Sequence, residues 1–181
     1  AAIGGIIIWA GWYSFNGGSA LQANYQAASA LLCTQISACF STATWAVLLY
    51  VTEGTIPVTD VMGGALAGLA GITPASGYVD VVAAPFVGIA SGLGSFYAGK
   101  WLKTRLKLDD VLDVFSLQAV PGMLGTLSVS LFAEKSHFPC PLPFTIEADC
   151  DTGVNGLFYG GDFGKLFLWQ LIAVVVTCSW T

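Results

Sequence analysis

The chain has 181 residues, of which 55% are hydrophobic and only 9% charged, with a net charge of −5. Soluble domains carry about 25% charged residues, so this composition, with a mean hydropathy of +0.74, excludes that class and indicates a membrane protein. The acidic balance argues against a nucleic-acid partner.

No Asp, Glu, Lys or Arg occurs in residues 1–52, 61–79, 81–99, 114–133 or 166–181. Each later run approaches the roughly 20 apolar residues that an α-helix needs to cross about 30 Å of hydrocarbon. The first run is long enough for two spans and divides at NGGSALQANYQ, residues 16–26. Six spans are therefore predicted, at 1–19, 27–51, 58–74, 79–99, 110–133 and 163–181, giving an all-α, polytopic membrane helix bundle. A transmembrane β-barrel does not fit, because its strands would alternate apolar and polar residues over about 10 positions. The opening AAIGGIIIWAGW lacks a basic leader and has the length of a full span, unlike a cleavable signal peptide. Both ends read as cuts in something longer.

Basic residues set the orientation. Four of the six, Lys100, Lys103, Arg105 and Lys107, fall in GKWLKTRLKLDD after the fourth span, and short basic loops stay on the cytoplasmic or equivalent side. Counting outward puts residues 16–26, 76–80 and 134–162 outside and the turn 53–58 inside. The last outer loop holds Cys140 and Cys150, a candidate disulfide on an oxidising side. Cys33, Cys39 and Cys178 fall in spans and read as small packing residues.

Glycines at four-residue spacing, Gly64 with Gly68 and Gly88 with Gly92, are expected to let helix backbones approach closely, since lipid supplies no hydrophobic force between helices. Pro85 and Pro121 fall inside spans and are expected to free the carbonyls of Val81 and Leu117. A freed carbonyl is tolerated at membrane depth only against protein or a water-filled path, so polarity gathers around Gln118. Asp109, Asp110 and Asp113 open the fifth span, where carboxylates cap free amides and oppose the positive helix end. They read as structural rather than as a metal site. His137, the only histidine, reads as a solvated loop residue. No P-loop, GxGxxG or nucleophile with a base is present. Nothing therefore points to an enzyme, a cofactor or a metal, and conduction, transport or scaffolding remain.

Four stretches, IIIWAGWYSFNGGSAL (6–21), GALAGLAGITPASGYV (64–79), LDDVLDVFSLQAVPGMLGTL (108–127) and GLFYGG (156–161), resemble the ammonium transporter family (Amt, Mep and Rh proteins) in order and spacing. The resemblance implies the sixth to eleventh helices of an eleven-helix fold built from inverted halves, working as a trimer with one pore per subunit. By that resemblance Ser19 matches a serine that helps hold ammonium in the outer vestibule, and Thr73 a threonine near the same mouth. Trp12 and Val114 match positions along the narrow apolar passage, and Asp110 and Asp113 acidic positions at the inner start of a pore helix.

Gln118 stands where the family pattern has the second of two pore histidines, and Pro121 where it commonly has glycine. Imidazole, with a pKa of about 6.5, can take and return a proton near neutrality, whereas a carboxamide can hydrogen-bond but cannot titrate. Two functions follow: ammonium or ammonia transport through a pore with Gln118 in the histidine's place, or a non-conducting, transporter-like structural subunit of a larger membrane complex. Partners expected are ammonium or ammonia, the lipid bilayer, and either two further copies in a homotrimer or other membrane subunits. The expected location is the plasma membrane, with an organelle membrane as the alternative.

Overall fold

The protein is described here by a computed structural model covering residues 2–107, 110, 112–137 and 153–180. Cys140 and Cys150 lie outside these residues. Among the described residues six α-helices follow in chain order: α1 (Ala2–Gly18), α2 (Tyr25–Glu53), α3 (Val58–Ile72), α4 (Ala84–Trp101), α5 (Val120–Phe132) and α6 (Phe163–Trp180). Among the described residues there is no strand, only an isolated antiparallel bridge between Val79 and Ala133. Four stretches, Tyr25–Glu53, Val81–Leu106, Phe115–Phe132 and Phe163–Trp180, are long and apolar enough to cross a membrane.

Helix ends follow local chemistry. The Asn24 side chain accepts from the amide of Ala27 at 2.9 Å and starts α2. Gly54, with φ of 72°, ends it and returns its amide to the Tyr50 carbonyl, a left-handed cap that glycine adopts without penalty.

The core is α2 seated between α3 and α4. Ser37 donates to the Gly68 carbonyl at 2.9 Å, Ser41 to that of Gly64 at 2.6 Å, and the Trp45 indole to that of Gly92 at 2.9 Å. Donors four residues apart lie on one helical face, so α2 presents a polar row that satisfies itself on neighbouring backbones. Each bond contributes about 1 kcal/mol net. The four glycines noted in the sequence make this approach possible. A Cβ on Gly68 would sit 2.6 Å from Ser41 Cβ, and one on Gly88 would sit 2.5 Å from the Ser37 carbonyl oxygen. Nine of the fifteen residues of α3 are buried; at about 1.5 Å per residue that helix is shorter than the hydrocarbon layer, and its neighbours shield it.

The two prolines behave differently from each other. Pro85 sits in the first turn of α4 rather than inside a helix, after a 3₁₀ turn at Val81–Ala83. The Val81 carbonyl is not freed, because it accepts the amide of Ala84. Pro is tolerated at a helix start, where its missing amide would have no intrahelical partner. Pro121 is buried near the start of α5, and a π turn over Phe115–Ala119 precedes it, in which the Val120 amide reaches back to the Phe115 carbonyl. The widened turn accommodates the ring, which would otherwise press on the carbonyl four residues back. Ser95 on α4 donates to the Ser116 carbonyl at 2.5 Å and fixes the turn from outside.

The connections gather at the two ends of the bundle. Lys100 pairs with Glu53 at 3.1 Å and Lys103 with Asp113 at 2.7 Å, so the connections read as inner meet at one end. At the other, Gln26 donates to the Gly77 carbonyl at 3.3 Å and the Glu134 amide to that of Tyr78 at 3.0 Å.

Candidate functional site

Trp12 on α1, Thr73 at the end of α3 and Gln118 on the π turn line one cavity of about 480 Å³, together with Phe15, Pro74 and Gly122. Thr73 caps α3 in right-handed helical conformation, which lets its hydroxyl bond back to the Leu69 carbonyl at 2.8 Å. The same oxygen accepts the Trp12 indole N–H at 2.8 Å. A hydroxyl has one proton and two lone pairs, so Thr73 keeps a single acceptor position. The indole is locked, and its rim packs edge-on to Phe15 with centroids 5.8 Å apart. The cavity is therefore apolar over most of its wall, with polarity confined to Thr73 and Gln118.

Gln118 is exposed and, with Pro74 and Gly122, also lines a second cavity of about 400 Å³ between α5 and α6. Its carboxamide makes no hydrogen bond among the described residues. The π turn inserts one extra residue into the helical repeat, which rotates the following face by about 100°; the placement of Gln118 against Trp12 and Thr73 depends on it.

The other predicted residues stand apart from this cavity. Ser19 is exposed at the end of α1, where its hydroxyl donates to the Phe15 carbonyl at 2.7 Å. Val114 is 52% exposed just before the π turn. Asp110 accepts the Phe115 amide at 2.7 Å. Asp113, with φ of 51°, holds a left-handed conformation and ends the non-helical lead-in, so the helix starts later than residue 110. Its carboxylate pairs with Lys103 and its carbonyl accepts from the Leu117 amide. Pro121 packs toward Gly71, where a Cβ would lie 3.5 Å from the proline ring. Pro74 and Gly122 line both cavities without having been singled out in the sequence, and a proline directly after Thr73 was the available signal. His137 is buried at 6% exposure rather than solvated.

The sequence profile of the Ammonium Transporter Family matches residues 1–181. The chain belongs to the ammonium transporter family. Ammonium transporter 1 of Dictyostelium discoideum is 41% identical over 180 residues, covering 99% of this chain and 36% of the relative. A putative ammonium transporter of Methanothermobacter thermautotrophicus is 41% identical over 181 residues, covering 100% of this chain and 41% of the relative. The crystal structure of Saccharomyces cerevisiae Mep2 superposes with a TM-score of 0.85 at 29% identity, over 98% of this chain and 40% of that one. This member of the ammonium transporter family thus spans 36% and 41% of the length of those two curated relatives. Its cavity carries a carboxamide, and among the described residues no titratable side chain lines it.

Proposed function

We propose that this chain forms one wall of a transmembrane ammonia pathway in a longer ammonium transporter, and that the pathway passes the cavity shared by Trp12, Thr73 and Gln118. The observation that carries the proposal is that these three, on three separate elements, line one apolar space. A bare ammonium ion there would lose its hydration at a cost of several kcal/mol even after relaxation. Neutral ammonia avoids most of that cost. The Gln118 amide can donate to the ammonia lone pair and its carbonyl can accept from an ammonia N–H, while no proton is stored on it. The proton must be handled elsewhere in the full protein. Ser19 serves the outer approach and Val114 the apolar passage, as the family resemblance implies; Asp110, Asp113 and Pro121 shape the inner start of the helix. The working unit is a homotrimer of full-length chains.

The test is complementation. The full-length protein and its Gln118→His variant are expressed in cells lacking ammonium uptake and grown on low ammonium. Growth with the native protein is expected, and failure of both forms at normal membrane levels refutes the pathway. Growth with the histidine form alone would instead favour a second reading, a non-conducting structural subunit, which the non-titrating Gln118 supports. Obligatory copurification with unrelated membrane subunits would then be the expected finding.

A further inference from the structure

We propose that Asp80, Glu134 and His137 form a divalent transition-metal site at the outer end of the bundle. One ligand atom from each lies within 4.8 Å of the others. Asp80 comes from the connection between α3 and α4, while Glu134 and His137 follow α5. The backbone bridge between Val79 and Ala133 holds the two connections together. The cluster is separate from the transport cavity, and the proposal stands whether or not that cavity conducts.

The imidazole supports a role as a ligand. His137 is 6% exposed and its ring packs on Tyr25 with centroids 5.6 Å apart. Its Nε2 faces Glu134 Oε2 at 3.4 Å, longer than the 2.7–3.2 Å of an ordinary N–H···O bond. Its Nδ1 is buried with no hydrogen-bond partner among the described residues. A neutral imidazole has one N–H. Placed on Nε2, it makes a long contact and leaves a bare buried lone pair on Nδ1. Placed on Nδ1, it is an unsatisfied buried donor and leaves two lone pairs facing each other. A cation at Nε2 resolves the second arrangement, because it takes both facing lone pairs as ligands while Nδ1 carries the imidazole proton. Two ligands about 2.0–2.1 Å from a tetrahedral ion stand about 3.3 Å apart, close to the 3.4 Å edge between Nε2 and Oε2.

The carboxylates keep acceptor capacity. Asp80 Oδ1 takes the Val82 amide at 3.2 Å and Glu134 Oε1 the Ser136 hydroxyl at 2.7 Å, and the Glu134 carboxylate also pairs with the Tyr159 hydroxyl; with about four lone-pair sites on each carboxylate, both still have one to offer an ion. Their joint negative field is felt nearby: the Tyr159 phenol is pushed up by burial and then by the charges of Glu134 and Asp80. One imidazole with two carboxylates suits zinc or a similar N- and O-seeking dication better than magnesium or calcium, which favour oxygen alone. Such an ion would staple the two outer connections.

The probe is zinc chloride alone. Purified full-length protein, stripped with a chelator, is dialysed against graded zinc with metal content measured per chain, beside Asp80→Asn, Glu134→Gln and His137→Gln. Asp80→Asn retains the side-chain oxygen that caps Val82 and loses only the charge, so it tests the site without disturbing the turn. One zinc per chain is expected, with affinity at least about tenfold weaker in each variant, a lower bound set by what even outer partners of a metal contribute. No zinc retained by the native protein, or equal retention by native protein and a folded Asp80→Asn, overturns the proposal and leaves a simple His137–Glu134 contact.

Discussion

Trp12 and Thr73, 61 residues apart, share a 2.8 Å hydrogen bond that ties α1 to the end of α3 across the cavity wall. The threonine oxygen also donates back to Leu69, so one hydroxyl sets both the helix end and the indole. Thr73→Val keeps the shape but leaves the indole N–H without its acceptor, a loss of about 1–3 kcal/mol. Thermal unfolding of the full-length protein is expected to fall by a few degrees, with ammonium uptake reduced. Thr73→Ser should restore both, and a valine variant with native stability and uptake would show that the bond does not matter.

The glycine contacts of α2 predict a sharp positional contrast. Gly68→Ala would place a methyl 2.6 Å from Ser41 Cβ and 2.7 Å from the Ser37 carbonyl oxygen, and that backbone cannot give way cheaply. Overpacking costs about 1–3 kcal/mol or more, and here it also threatens the serine-to-carbonyl bonds. Gly4→Ala meets nothing within 4 Å and should be neutral or stabilising by roughly 0.5–1 kcal/mol from helix propensity. Folded yield on size-exclusion chromatography after a heat step separates the two.

These contrasts show what was legible beforehand. Runs without charge, the basic hinge after α4 and the glycine spacing all express local or one-helix properties, so the bundle and its close contacts could be read directly. Pro121 signalled a disturbance at the level of Gln118, but its form was not readable. The π turn depends on Ser95, on another helix, taking the Ser116 carbonyl. His137 looked solvated because Tyr25, whose ring packs on it with centroids 5.6 Å apart, is remote in sequence. Pro85 misled for a local reason: its position relative to the helix start, not its presence in an apolar run, decides whether a carbonyl is orphaned.

Asp113 combines a left-handed backbone with an ion pair, and substitutions can separate the two. Its φ of 51° is tolerated by Asp and Asn but poorly by β-branched residues. Its pairing with Lys103 is between half-exposed groups, worth at most about 1 kcal/mol. Asp113→Asn and Lys103→Ala should therefore change the unfolding midpoint little. Asp113→Val should lower it clearly, and an equal effect of Asn and Val would mean that charge, not backbone, governs the lead-in to α5.

The proton question at residue 118 has its own signature in pH. With a carboxamide there, no titration at this position contributes to transport, since an amide stays neutral throughout the physiological range. Gln118→His introduces a group with an ordinary pKa of about 6.5. The ratio of histidine-form to native uptake should therefore change between about pH 5.5 and 7.5, whatever other groups in the full protein titrate, because those are common to both forms. Uptake of a neutral-ammonia analogue across proteoliposomes, measured with an internal pH dye, reads the ratio directly. A ratio that stays constant over that range would place residue 118 away from the path, and with it the assignment of the shared cavity as the route.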